Sequence, residues 1–425
     1  MRGKKVKMKK TQNLLGVIVL ALILFAGHTY LKSSMLFLRL VLGMILGYAL
    51  TRSFMGFAGS VNRAYNTGST KLMRVLMGMF TATAAISIAF LYNADPATYD
   101  LWINPINFGL ILGGILFGFG MTFSMCCASG VLTDLVTGLP RAFVTIIFFG
   151  MGVFLGYPIQ SRAWVKESWF TSETGAKLAG GVYLPDLFKW DGLNGYLGAI
   201  VVTGILATIV VWFSMKYEDA KKANGTFTGV GSEIEQYKHI EEEQKPFVLF
   251  SEETYRKVFV KPWRMSTGAS VIIAVFTVLM GVTKGGWGAS TPYGIWFGKA
   301  LMIFGVSPET LADISNKAVK AYAAPFFESG INVQNIGIAL GTLVCLLLAG
   351  SFREVFMSEL KISAKDVVLF AVGGFLMGYG TRLANGCNVG ALYTPIANFS
   401  LSGWVFLVFL VAGGILGNKV AEKVR

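Results

Sequence analysis

Cys127 and Cys387 are the residues of this chain best placed to do chemistry. Each ends a glycine-spaced apolar run and begins a short polar patch. The first run is Gly113-Gly114-Ile-Leu-Phe-Gly118-Phe-Gly120, leading to Cys127-Ala-Ser129-Gly130-Val-Leu132. The second is Gly373-Gly374-Phe-Leu-Met-Gly378-Tyr-Gly380, leading to Cys387-Asn388-Val-Gly390-Ala-Leu392. Aligned 260 positions apart without a gap, eight of twenty positions are identical, and five of those eight are glycines. A thiol with an ordinary pKa of about 8.5 is mainly neutral at pH 7, so it does not repel an anion. It is also soft and a weak hydrogen-bond donor, suited to a solute that carries sulfur. Ser129, Asn385 and Asn388 add side-chain donors, and Gly130 and Gly390 let the backbone come close to a solute.

Other chemistries find little support. Two histidines, His28 and His239, are too few and too far apart for a metal site or a catalytic triad. The four cysteines form no C-x-x-C pair, which argues against a zinc ribbon, an iron–sulfur cluster or a thioredoxin-like couple. Cys126 aligns with Gly386 and reads as filler, and Cys345 sits in an apolar run as a core or lipid-facing residue. There is no nucleotide-binding loop, so no cofactor is expected and energy must come from a gradient, a partner or downstream consumption.

The elements that position these patches are membrane helices. The chain is 54% hydrophobic and only 14% charged, with a mean hydropathy of +0.60, whereas soluble domains are nearer a quarter charged. The net charge of +14 lies in the amino-terminal tail and between apolar segments, so it reads as topology rather than nucleic-acid binding. Ten apolar runs qualify, near 14–27, 35–50, 72–92, 105–120, 141–159, 194–215, 268–282, 335–351, 366–379 and 402–417. The first reads as an uncleaved signal anchor. Linker 216–265 holds nine Lys/Arg and belongs in the cytoplasm, while connection 93–104 holds none and belongs outside. Both termini then fall inside, and position 398 falls outside. Loop 161–192, with four basic and four acidic residues, must lie outside against the charge rule.

Each half then contains a span, a glycine-rich break, two spans, a second break and a last span. The first breaks are Arg52-Ser-Phe-Met-Gly56-Phe-Ala-Gly59 and Thr283-Lys284-Gly-Gly286-Trp-Gly-Ala-Ser290. The expected fold is an all-α polytopic membrane protein of about ten helices in two inverted repeats with broken or re-entrant segments. Its parts are a basic tail and anchor (1–33), a first repeat (34–192), a connecting helix with charged linker (193–265) and a second repeat (266–425). Broken helices offer free N–H groups and a positive dipole end to an anion. Lys284, Lys299 and Arg382, with Arg52 on the inner side, are candidates to draw one in. The same glycines also suit plain helix packing, the basic residues suit snorkelling, and Asp134 suits either a helix cap or proton transfer.

At these residues the chain resembles the YeeE/YedE sulfur-transport family. The likeness lies in Cys127-Ala-Ser-Gly130, in Gly386-Cys387-Asn-Val-Gly390 and, more loosely, in Arg52–Gly59, and it runs from about 37 to 420 outside the linker. The resemblance implies an inner-membrane permease for thiosulfate or a related sulfur or selenium compound, with cysteine thiols along the route. Thiosulfate transporters of the family also carry a cysteine in the first turn, where this chain has Met55-Gly56-Phe57. A membrane thiol-redox or sulfur-transfer enzyme is the alternative. A soluble sulfur-carrier protein meeting the linker is compatible with transport, although the Glu241–Glu243 run there also reads as a solvated face.

Overall fold

The computed structural model describes residues 10–238, 248 and 251–424. The basic start of the tail, His239 and the Glu241–Glu243 run lie outside the described residues. Among those described there are ten long helices: α1 (Lys10–Tyr30), α2 (Ser34–Arg52), α3 (Lys71–Leu91), α4 (Phe108–Ser124), α5 (Leu139–Gln160), α6 (Tyr196–Ala223), α7 (Met265–Thr283), α8 (Gly330–Leu348), α9 (Ala364–Leu383) and α10 (Leu401–Val424). They coincide with the ten apolar runs. Nine are long and apolar enough to cross a membrane, and α4 is a shorter apolar helix. Side-chain caps fix several starts: Ser33 accepts from Leu36 N, Asn107 from Leu110 N, and Ser363 with Asp366 forms a capping box. No strand forms among the described residues, only the isolated bridges Asp100–Gly285 and Tyr183–Ser400.

Glycine decides how the helices meet. A Cβ built on Gly113 would stand 2.7 Å from Gly380 O, and one on Gly380 would stand 2.9 Å from Gly113 O. Gly120 and Gly373 meet in the same reciprocal way. Helices α4 and α9 therefore cross antiparallel, backbone against backbone, about a pseudo-twofold axis. Their flanks follow the same symmetry. Gly118 of α4 lies on Leu410 O of α10, and its counterpart Gly378 of α9 lies on Phe149 O of α5. Similarly α2 packs on α8, with Gly43 against Gln334 O and Gly337 against Leu40 O, while α7 packs on α3. Outside this core, α1 leans on α8 and α6 on α3. Each half is completed by helices of the other.

Contacts between connections define two faces. On one, the linker meets the ends of α2, α3 and α8: Arg52 donates to Lys261 O, Glu218 accepts from Thr70 N, and Tyr255 donates to Leu348 O. On the other, Asp100 N donates to Lys284 O, Trp169 N to Ile106 O and Leu184 N to Phe399 O. Successive long helices alternate between these faces, as the charge pattern requires. Within segment 161–192, Lys189 pairs with Glu173 at 2.6 Å, so part of its basic charge is balanced locally. Position 398 corrects the expectation of an exposed outer site. Asn398 is fully buried and donates to Leu101 O, because segment 388–397 folds back into the core.

Two outcomes test this packing. Thr98→Cys and Trp190→Cys should label with an impermeant reagent from one face, and Gly225→Cys and Lys361→Cys from the other. Gly378→Ala, whose Cβ falls on a backbone carbonyl, should cost about 1–3 kcal/mol in a detergent melt. Gly56→Ala, with nothing within 4 Å of the added carbon, should melt like the parent.

Candidate functional site

Four helix breaks face one another inside the bundle. They follow α2 (53–58), α4 (125–129), α7 (284–292) and α9 (384–387), and each carries a non-glycine residue in the left-handed region: Phe54, Met125, Lys284 and Asn385. Met125 and Asn385 are equivalent in the 260-position alignment, so the two cysteine turns share one backbone path. The same hydrogen bond repeats at both sites, from Val131 N to Cys127 O at 2.8 Å and from Ala391 N to Cys387 O at 2.6 Å. Left-handed backbone costs such residues about 1–2 kcal/mol each. The break glycines themselves take no positive φ. Gly286 packs on Thr394 and Phe276, and Gly390, just past the fourth break, on Trp102.

Irregular backbone inside a membrane must have its polar groups satisfied by protein. The break after α7 is pinned by Thr394 Oγ1 on Trp287 O (2.7 Å), Asn335 Nδ2 on Ala289 O (2.9 Å) and Tyr157 OH on Thr291 O (2.8 Å). After α2, Gln236 donates to Ser53 O and Arg63 to Phe54 O. After α4, Tyr293 OH donates to Ala128 O at 2.5 Å. Phe57, Phe80, Phe276 and Trp287 surround Tyr393 and join the breaks after α2 and α7 to the segment that follows the fourth.

The two thiols sit at the centre of this arrangement. Cys127 is 1% exposed and Cys387 is fully buried, and they lie close enough to interact electrostatically. The sulfur of Cys387 faces the Ser290 hydroxyl and the N–H groups of Val389 and Gly390. The sulfur of Cys127 lies 3.4 Å from Ser129 Oγ. Tyr293, whose hydroxyl donates to Ala128 O in the Cys127 turn, is also within electrostatic reach of Cys387.

Arg382 is 4% exposed. Its guanidinium reaches Thr381 Oγ1 at 3.1 Å and Ser290 Oγ at 3.5 Å and lies over the Tyr157 ring, and among the described residues no carboxylate pairs with it. A buried charge without a counter-ion is costly, so an anion beside Arg382 would be stabilised. Lys317 shares the Tyr157 ring, 4.5 Å from its centroid. On the breaks and the turns beside them, Trp287 Nε1, Asn335 Oδ1 and Asn388 Oδ1 are among the buried polar atoms that have no partner among the described residues. The Asn388 amide nitrogen meets only Met121 Sδ, so a half-turn of the amide presents either a donor or an acceptor.

The structure thus brings Cys127, Ser129, Gly130, Cys387, Asn388, Gly390 and Arg382 into two adjoining turns and puts Gly56 and Gly286 on the other two. Lys284 lies at an exposed turn, with its ammonium over Tyr99. Arg52 and Lys299 have other work: Arg52 holds the carbonyls of Val260 and Lys261, and Lys299 those of Tyr322 and Ala324. Asp134 pairs with Arg141 at 3.1 Å in mid-helix and caps nothing. Tyr157, Ser290, Tyr293 and Lys317 were not legible as site residues. Only Ser290, which closes the Thr283–Ser290 glycine-rich segment, left a sequence signal.

Tyr293→Phe removes a donor from a buried carbonyl and should cost about 1–3 kcal/mol. The check is a lower melting temperature together with faster reaction of Cys127 with a small thiol reagent.

Comparison with known proteins places the chain in a family. Residues 52–416 match the family model described as sulphur transport. The chain is 26% identical over 396 residues to the thiosulfate transporter TsuA of Spirochaeta thermophila, a match covering 89% of this chain and 97% of that relative. Against the thiosulfate transporter TsuA of Escherichia coli it is 22% identical over 381 residues, 89% of this chain and 93% of the relative. A shorter match, 28% over 143 residues and 34% of each chain, links it to the probable transporter YedE of Escherichia coli. The chain belongs to the sulphur transport family and is a multi-pass membrane transporter of sulfur compounds rather than an enzyme.

Proposed function

We propose that this protein moves thiosulfate, or a close sulfur or selenium analogue, across the bacterial inner membrane between the turns of Cys127 and Cys387. The observation that carries the reading is Arg382, a buried guanidinium with no carboxylate partner among the described residues, set beside a thiol ringed by donors. An oxyanion would meet Arg382 through its charge, and a terminal sulfur would meet the thiols through soft, weak hydrogen bonds. Trp287 Nε1 and the Asn388 amide are free to contribute further contacts. In this reading the linker face is cytoplasmic, both termini lie there, and the two repeats have the boundaries expected from the sequence. A soluble sulfur-carrier protein would meet the same face.

The first turn holds Met55, which is buried and packs near Gly268. The route in this chain would therefore depend on two thiols. Uptake into proteoliposomes from a panel of thiosulfate, sulfite, sulfate, sulfide and selenium analogues tests the substrate, and transport of sulfate in preference to thiosulfate would overturn it.

Cys127→Ala and Cys387→Ala should each reduce uptake strongly in a folded protein, and serine should restore little. Cys345→Ala, whose sulfur only meets Arg52 at 3.9 Å, should change uptake little. Full uptake by a double Cys127/Cys387 alanine variant would discard the route. Although Lys317 is exposed as a residue, partial desolvation of its ammonium over Tyr157, and secondarily the Arg382 charge, hold it below the usual lysine range. Lys317 is charged below its lowered pKa and neutral above it, so uptake should decline on the alkaline side before an ordinary lysine titrates, near about 10.4. Lys317→Arg should move that decline to higher pH in a pH–rate profile.

A further inference from the structure

The pseudo-twofold relation makes each half a control for the other, and the two sides of the route are not equally covered. On the linker side a Cβ added to Gly56 would meet nothing within 4 Å. One added to Gly130 would meet only its own turn, Cys126 Cβ and Cys127 Sγ at 3.5 Å. The equivalents on the opposite face are crowded. A Cβ on Gly390, the counterpart of Gly130, would overlap the indole of Trp102, as would one on Gly288. On Gly286, the counterpart of Gly56, it would stand 2.5 Å from Thr394 Cγ2 and 2.9 Å from Phe276.

Trp102 belongs to none of the ten helices. It comes from the connection between α3 and α4 and reaches into the bundle at φ 56°, a backbone state unfavourable for a bulky aromatic residue. Its neighbours hold that state. Asp100 N donates to Lys284 O at 2.8 Å, Leu101 O accepts from Asn398 at 3.2 Å, Ile103 O accepts from Gly181 N at 3.0 Å, and Asn104 donates to Gly390 O at 3.3 Å. Three of these four ties run to the breaks after α7 and α9 or to the segment that follows. The ring is only half-buried, while Cys387, three residues before the Gly390 on which it lies, is fully buried. Strain held in place by surrounding contacts is a recurrent feature of clamps and switches. The matching connection on the linker side, between α8 and α9, lays no ring on Gly130.

We propose that Trp102 is the gate of the transport route on the face opposite the linker. Its indole lies on Gly288 and Gly390 and closes the Cys387 turn from that face, and a solute passes there only when the ring leaves those glycines. The two glycines are required because the ring lies directly on their backbone. The proposal rests on the reading of Cys387 as part of the route, but its test needs no transport.

The experiment uses full-length protein in sealed vesicles of known orientation, with Cys126→Ala, Cys127→Ala and Cys345→Ala so that Cys387 is the only thiol. The probe is a membrane-impermeant, positively charged methanethiosulfonate added at the face of the 92–107 connection. With Trp102 in place, modification should be slow. Trp102→Ala should speed it by at least about tenfold, since a closed gate leaves an open state populated at roughly 10% or less. Trp102→Phe should stay near the parent and Trp102→Leu should fall between, so the leucine variant decides the matter if the alanine variant does not fold. Modification from the linker face should not change. An unchanged rate at the 92–107 face, or an equal rise from both faces, overturns the gate. Failure of the thiol route itself would appear separately, as normal uptake by Cys387→Ala.

Discussion

The rest of this structure depends on the backbone contact between α4 and α9. Lipid is as apolar as the side chains it would replace, so helices in a membrane gain little by hiding apolar surface from it. They associate through close packing, and the closest packing comes where side chains are absent. Gly113 against Gly380 and Gly120 against Gly373 bring two backbones together at the pseudo-twofold axis. Both cysteine turns begin one helical turn or so beyond these contacts, so the crossing sets where the turns meet. Gly118 and Gly378 extend the same device outward to α10 and α5.

Around that crossing the protein solves a second problem, irregular backbone in a medium without water. Tyrosine and threonine hydroxyls and the amides of Asn335 and Gln236 occupy the carbonyls of three of the breaks, and Asn104 reaches Gly390 O in the segment that follows the fourth. Against this well-satisfied background Arg382 stands out. Among the described residues its charge is answered only by hydroxyls and an aromatic face. Under the proposed function an anion would complete this arrangement, a sensible balance for a site that must also release its solute.

Much of this was legible in the sequence, for identifiable reasons. Ten apolar runs announced ten helices, because a span needs about 20 such residues. The repeat between 113–132 and 373–392 announced the symmetry, because the glycines at the crossing tolerate no substitute and so stay aligned. The breaks were visible as glycine clusters, but for a different reason than φ. Their left-handed positions are held by Phe54, Met125, Lys284 and Asn385, and no composition rule points to a phenylalanine or a lysine there. Tyr293 and Trp102 were invisible because each works from outside the motifs, one from the helix after a break and one from a connection. Arg52 and Lys299 looked available because sequence shows charge without showing the carbonyls that occupy it.

The exchange of helices between the halves bears on how the chain is made. Helix α4 finds its principal partners in α9 and α10, at the far end of the polypeptide, and α2 finds its own in α8. During synthesis the first half therefore enters the bilayer with its glycine-lined surfaces facing lipid. Each helix can wait there, since its backbone is satisfied within itself. The breaks cannot, because much of what holds the turns after α2 and α4, Gln236 and Tyr293, comes from later in the chain. The packing around the two cysteine turns is thus assembled last, when the carboxy-terminal helices arrive, and a chain stopped short would leave these turns inserted but unformed for quality control to recognise.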